Sequence, residues 1–125
     1  MQRMLPLLAL ALAGCATVPA PAAGPTAAIG QAALVDGVIV RPLSVVEDSR
    51  CPSNVQCVWA GRLVILAEVE YRGGSETFRG RMTLGQPLPL GKQVVTLVSA
   101  IPERLAGKPT DPRAYRFTFS ADTQR

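Results

Sequence analysis

The clearest pattern in the chain is the alternation of apolar and polar residues from Arg62 to Arg72 (RLVILAEVEYR). Leu63, Ile65, Ala67, Val69 and Tyr71 fall on one face, and Glu68, Glu70 and Arg72 on the other, the period-two signature of a half-buried strand. Gly73-Gly74 predicts a two-residue hairpin turn, and Ser75 to Leu84 the returning strand. A two-residue turn sets the register. Arg72 then faces Ser75, Val69 faces Phe78, Ala67 faces Gly80, Ile65 faces Met82, Leu63 faces Leu84, and Glu68 faces Arg79. A slip of one residue would bring Arg79 and Arg81 into the core, so turn, charge and hydrophobic pattern agree on one pairing.

The same reading places further strands. Gln31 to Val35 and Val38 to Glu47 flank Asp36-Gly37, a strong hairpin signal because a type I′ turn needs positive φ at both central residues. Pro42 lacks an N–H, so the second of these strands is expected at an edge or with a bulge there. Lys92 to Ile101 is apolar on both sides, with Val95, Leu97 and Ile101 against Val94, Thr96 and Val98, which suits a central strand. Pro102 to Arg113 holds three prolines and a glycine and reads as a loop. Ala114 to Ala121 closes the chain with Tyr115, Phe117 and Phe119 inward and Arg116, Thr118 and Ser120 outward. The expected fold is all-β, a small antiparallel β-sandwich or partly open barrel of about six strands.

Ahead of Asp36 the only charged side chain is Arg3. Met1-Gln2-Arg3 is a short basic start, and Met4 to Ala13 is an apolar run too short to cross a hydrocarbon core, which takes about 20 residues. The pattern is a signal peptide. Leu12-Ala13-Gly14-Cys15 resembles the bacterial lipobox. The resemblance implies cleavage before Cys15, a diacylglycerol thioether on its sulfur and an acylated amine, and two or three acyl chains anchor where one does not. Residues 1–14 are then the signal, 15–29 a lipidated Ala/Pro-rich tether, and 30–125 a single β domain. Pro19, Pro21 and Pro25 supply no core, and fourteen residues behaving as a flexible chain reach roughly 20 Å. Ala16 after the lipidated cysteine resembles the enterobacterial sorting signal for the outer membrane, facing the periplasm.

Composition narrows the chemistry. Hydrophobic residues make up 48% and charged ones 18%, which suits a globular domain, while aromatics are only 5%, so aliphatic side chains must fill the core. Loss of Arg3 with the signal leaves twelve basic residues of the original 13 against nine acidic, a mild excess that is no nucleic-acid signature. Histidine is absent, which removes a Ser-His-Asp triad. No serine accompanies Lys92 or Lys108 in a dyad motif, and Gly91-Lys92 lacks the spacing of a phosphate-binding loop. Glu47 and Asp48 are neighbours in a strand and point to opposite faces. No catalytic residue, cofactor or metal site is expected. Arg79, Arg81 and Arg116 offer a basic patch for anionic lipid, with Glu68 and Glu70 offsetting it as solvated strand faces.

One segment stands outside the strand pattern: Glu47-Asp48-Ser49-Arg50-Cys51-Pro52-Ser53-Asn54-Val55-Gln56-Cys57-Val58-Trp59-Ala60-Gly61. Two cysteines in an exported protein are expected to be oxidised, and zinc would need about four ligands where neither His nor a second Cys pair exists. A Cys51–Cys57 disulfide closes a short loop worth about 2.4 kcal/mol by chain entropy. The string E-D-S-R-C-P, four residues, C-V-W-A-G resembles a family of small uncharacterised bacterial lipoproteins and secreted proteins, strongly over Val45 to Tyr71 and again at Ala114 to Thr118. The resemblance implies no activity, ligand or catalytic residue. Asp48 and Arg50 are expected to pair, and Arg50 to stack on Trp59. The loop is either a staple with Trp59 as its plug, or a binding loop presenting Asp48, Arg50 and Trp59, since Arg and Trp are enriched at binding hot spots. The function expected is that of an envelope lipoprotein, held to the membrane through Cys15, with a structural or binding role. The alternatives are an inhibitor of an exported hydrolase and, after it, an enzyme of unfamiliar type, so the partners are an envelope protein or an exported hydrolase.

Overall fold

The computed structural model describes residue 14 and residues 24–71 and 77–123. Eight strands follow one another: β1 (Thr26–Ala27), β2 (Ala33–Val35), β3 (Val38–Asp48), β4 (Leu63–Tyr71), β5 (Thr77–Thr83), β6 (Pro87–Leu90), β7 (Gln93–Ile101) and β8 (Arg116–Thr123), with one 3₁₀ turn at Pro112–Ala114. They form two four-stranded antiparallel sheets, β1-β8-β7-β6 and β2-β3-β4-β5, that face each other as a sandwich and do not close into a barrel.

The β4–β5 register is the one that the alternation predicts: Val69 opposite Phe78, Glu68 opposite Arg79, Ala67 opposite Gly80 and Ile65 opposite Met82. The Gly73-Gly74 turn and the Arg72–Ser75 pair lie outside the described residues. Leu63, Ile65, Ala67 and Val69 are buried, and with Val38, Val40, Val95, Leu97, Phe117 and Phe119 they form the apolar layer between the sheets. Each such side chain contributes roughly 1.5–3 kcal/mol by leaving water. Gly80 is explained by its neighbour. A Cβ there would stand 2.7 Å from the Phe78 ring, so the glycine makes room for an aromatic side chain folded over its own strand.

Asp36-Gly37 joins β2 to β3 with φ of +43° and +79°, as the hairpin reading requires. Pro42 stands in a strand that is not an edge, and the register shifts between Pro42 and Ser44 accommodate it as the expected bulge. β7 lies between β6 and β8, a central strand as expected. A register shift between Leu97 and Ser99 changes which of its side chains point inward, so Ile101 is exposed rather than buried with Val95 and Leu97.

Two elements escape the sequence pattern, and the six strands expected become eight. β6 reads Pro-Leu-Pro-Leu, a poor strand composition. It survives because it is an edge, where the missing N–H groups need not join a ladder. β1 falls inside the stretch read as tether. Thr26 and Ala27 pair with Thr118 and Phe117, and Ala27 is fully buried. The strand pairing therefore takes in residues before Gly30, with Ala27 packed into the core opposite Phe117.

Candidate functional site

The segment between β3 and β4 is a long hairpin loop at one end of the sandwich. The ladder continues past both strands: Ser49 N donates to Arg62 O at 2.8 Å, Arg62 N to Ser49 Oγ at 3.0 Å, and Cys51 N to Ala60 O at 3.2 Å. Gly61 makes this approach possible. Its φ is +67°, and a Cβ would lie 1.7 Å from the Ser49 carbonyl oxygen, a position that only glycine can occupy. Glu47 pairs with Arg62 across the hairpin. Cys51 and Cys57 form the disulfide, with Cα atoms 5.8 Å apart.

Beneath the loop lies a closed polar network. Arg50 donates from Nε and Nη2 to the two carboxylate oxygens of Asp48 at 2.8 and 2.9 Å, a bidentate pair. Its Nη1 and Nη2 reach the carbonyls of Ala100 (3.1 Å) and Pro102 (3.0 Å) on the other sheet. Tyr115 donates its hydroxyl to Asp48 Oδ2 at 2.7 Å. The Arg50 and Asp48 side chains are only 15% and 9% exposed. Burial by itself would raise the Asp48 carboxyl, but the hydrogen bonds from Arg50 and Tyr115 and the Arg50 charge outweigh it and hold the group below its ordinary range. Burial, helped by the bond to the Asp48 carboxylate, pushes the Tyr115 phenol up.

The loop also docks on the segment after β7. Arg104 Nη1 donates to the Arg50 carbonyl at 2.7 Å, Ser53 N to the Arg104 carbonyl at 2.8 Å, and Ala106 N to Asn54 Oδ1 at 2.9 Å. Most of the polar residues of the distinctive string thus have assigned tasks: Glu47, Asp48, Ser49, Arg50, Ser53 and Asn54 bind, Cys51 and Cys57 close the disulfide, and Gly61 admits the partner strand.

Val58 and Trp59 are different. They follow the disulfide and are 92% and 83% exposed, two adjacent apolar side chains in the loop at that end of the sandwich. The sequence reading grouped Asp48, Arg50 and Trp59 in one binding loop and stacked Arg50 on Trp59. The geometry separates them. Arg50 is committed to Asp48 and two carbonyls, while Trp59 points outward and plugs nothing. Val58 was missed because an isolated valine carries no chemical signal. Tyr115, the third member of the network, was read only as a core aromatic.

The other candidates do not assemble. Arg79 and Arg81 lie on β5 and Arg116 on β8, in different sheets, so they form no single basic patch. A shallow depression on the outer face of β3–β5 is lined by Ile39, Arg41, Glu68, Glu70 and Thr77. Its Glu68 lies between Arg41 on β3 and Arg79 on β5, the arrangement of ordinary cross-strand charge pairing. Among the described residues no group of three or more Cys, Asp or Glu is placed to hold a metal ion. No helix of the described residues is long and apolar enough to cross a membrane.

Compared with known proteins, the chain matches no family model, no curated protein and no solved structure at a significant level.

Proposed function

We propose that this chain is a lipid-anchored envelope protein, tethered through Cys15, whose β domain works by binding a protein partner through Val58 and Trp59. The exposure of Trp59 carries the reading. It is the only tryptophan of the chain, and it is held out into solvent by a loop whose neighbouring residues are tied to both sheets. An exposed Trp on a pre-ordered backbone contributes contact area at little entropic cost. The half-buried cluster of titratable side chains, Asp48 with Arg50 and Tyr115, is saturated by its own hydrogen bonds, which favours a structural task for it over proton transfer.

The test is a quantitative pull-down from envelope extract with the wild-type domain, Trp59→Ala, and Val98→Ala as a control at an exposed apolar position on β7. The expected result is a partner retained by wild type and the control and lost with Trp59→Ala. Identical sets for all three overturn the reading. Anchoring has its own check: Cys15→Ser should abolish palmitate labelling, and a labelled mutant would refute it. A second reading, inhibition of an exported hydrolase, is favoured by the exposure of Val58 and Trp59 next to the disulfide, since a disulfide-held loop with exposed apolar side chains suits an enzyme cleft. It requires the retained partner to be such an enzyme and to lose turnover when bound.

A further inference from the structure

The two ends of the sandwich are not equivalent with respect to the N-terminal segment. β1 runs antiparallel to β8, with Ala27 opposite Phe117 and Thr26 opposite Thr118, and Phe119 N donates to the Pro25 carbonyl at 2.9 Å. Followed toward the N-terminus, the chain therefore climbs along β8 away from Arg116. Arg116 pairs with Ile101, and the carbonyls on either side of Ile101 bind Arg50. The chain thus leaves in the direction opposite to the disulfide loop. Gly24 fixes the level: its carbonyl accepts from Leu34 N at 3.0 Å, Leu34 is opposite Ile39, and Ile39 is opposite Glu70. Leu63, where β4 leaves the loop, precedes Glu70 by seven residues, and at about 3.3 Å per residue that is roughly 23 Å, with Trp59 four residues further into the loop.

From these directions we infer that tether and tip leave the domain at opposite ends, so that Val58 and Trp59 are presented away from the anchoring bilayer, to proteins of the aqueous compartment and not to lipid. The inference rests on the proposed lipidation of Cys15. Eight residues lie between Cys15 and Gly24, and the nine steps from one to the other span about 30 Å when fully extended. Standing the domain end-on with its tip against the bilayer would use most of that length, at a large loss of chain entropy. Exposed tryptophan commonly marks a membrane interface, and here the topology argues against that occupant.

The single tryptophan permits a direct test. The full-length chain, purified from the membranes of expressing bacteria, is reconstituted into phosphatidylcholine vesicles carrying a dansyl headgroup acceptor, and energy transfer from tryptophan is measured. Wild type should show little transfer. A chain with Leu34→Trp and Trp59→Phe, which moves the donor to a half-exposed site at the Gly24 level, should show strong transfer. Transfer from Trp59 as strong as that from the Leu34→Trp donor overturns the orientation, and so does strong transfer from wild type if the Leu34→Trp chain does not fold. Flotation with the vesicles distinguishes the underlying reading: a wild-type chain that floats no better than Cys15→Ser refutes the anchor, and the orientation with it.

Discussion

The hairpin loop between β3 and β4 has an inner and an outer half with opposite physical characters. The inner half, Asp48 to Asn54 with Gly61, is almost entirely spent on internal bonds that join the two sheets and the segment after β7. The outer half, Val58 and Trp59, contributes almost no buried surface. A loop needed only as a staple has no physical use for its largest aromatic side chain in water, where it exposes apolar surface without return. A loop needed only for recognition would not require a bidentate ion pair beneath it. On the proposed reading, anchoring the backbone on one side lets the exposed side chains opposite lose little freedom when a partner binds.

Gly61→Ala should produce the largest effect on the inner half. The added methyl meets the Ser49 carbonyl at 1.7 Å in a left-handed conformation, so the hairpin must open. A loss of about 4 kcal/mol is expected in urea unfolding. A loss below about 1 kcal/mol would mean that the loop has slack, and the distinction between its halves would fail.

Asp48→Ala comes next. It leaves the half-buried Arg50 guanidinium without its counter-ion but still bonded to two carbonyls, a change expected to cost about 2–3 kcal/mol, less than for a fully buried pair. The same pair has a pH signature. The Asp48 carboxyl is lowered in the folded state, so its contribution is present above the ordinary aspartate range and is lost as pH falls through the lowered value. Tyr115 is raised, so the neutral phenol favours the folded state, and stability falls as pH rises beyond the ordinary tyrosine range. The acid limb of a pH–stability curve should be flatter in Asp48→Asn than in wild type. Parallel acid limbs would remove Asp48 from the account.

Replacing Cys51 and Cys57 together by Ser should cost about 2–3 kcal/mol with the fold retained, measured by denaturation with circular dichroism. The smaller figure follows from the hydrogen bonds of Ser53 and Asn54, which keep the loop docked without the sulfur bridge. Sharper tuning is available here, since the double mutant should loosen Trp59 more than it weakens the core.

Where side chains alternate strictly, the sequence was readable. Glu68 opposite Arg79 and Val69 opposite Phe78 follow from one turn and one period. The Asp48–Arg50 pair and the disulfide were legible too, because the partners are two and six residues apart. What was not legible depends on distance along the chain. Tyr115 meets Asp48 across 67 residues, Arg104 meets Arg50 across 54, and β1 finds β8 across about ninety, and no local periodicity encodes such meetings. The separation of Arg50 from Trp59 was hidden for the same reason: the carbonyls that capture the guanidinium belong to residues 100 and 102.

The smallest effect is expected at the outer half, and it bears most directly on the comparison. Trp59→Ala should change stability by no more than about 0.5 kcal/mol, the range of surface substitutions away from packed features. The usual penalty for truncating a buried tryptophan is about 3–5 kcal/mol, so the two possibilities are far apart. Thermal and urea unfolding of the isolated variant measure the quantity without any partner present. A change near the larger figure would show that Trp59 packs in solution and that the loop is a staple throughout. A change within the smaller one leaves the side chain with no contribution to the fold. Exposed beside Asp48, Arg50 and Gly61, whose substitution should cost several times more, Trp59 is then free for the partner contact proposed for it.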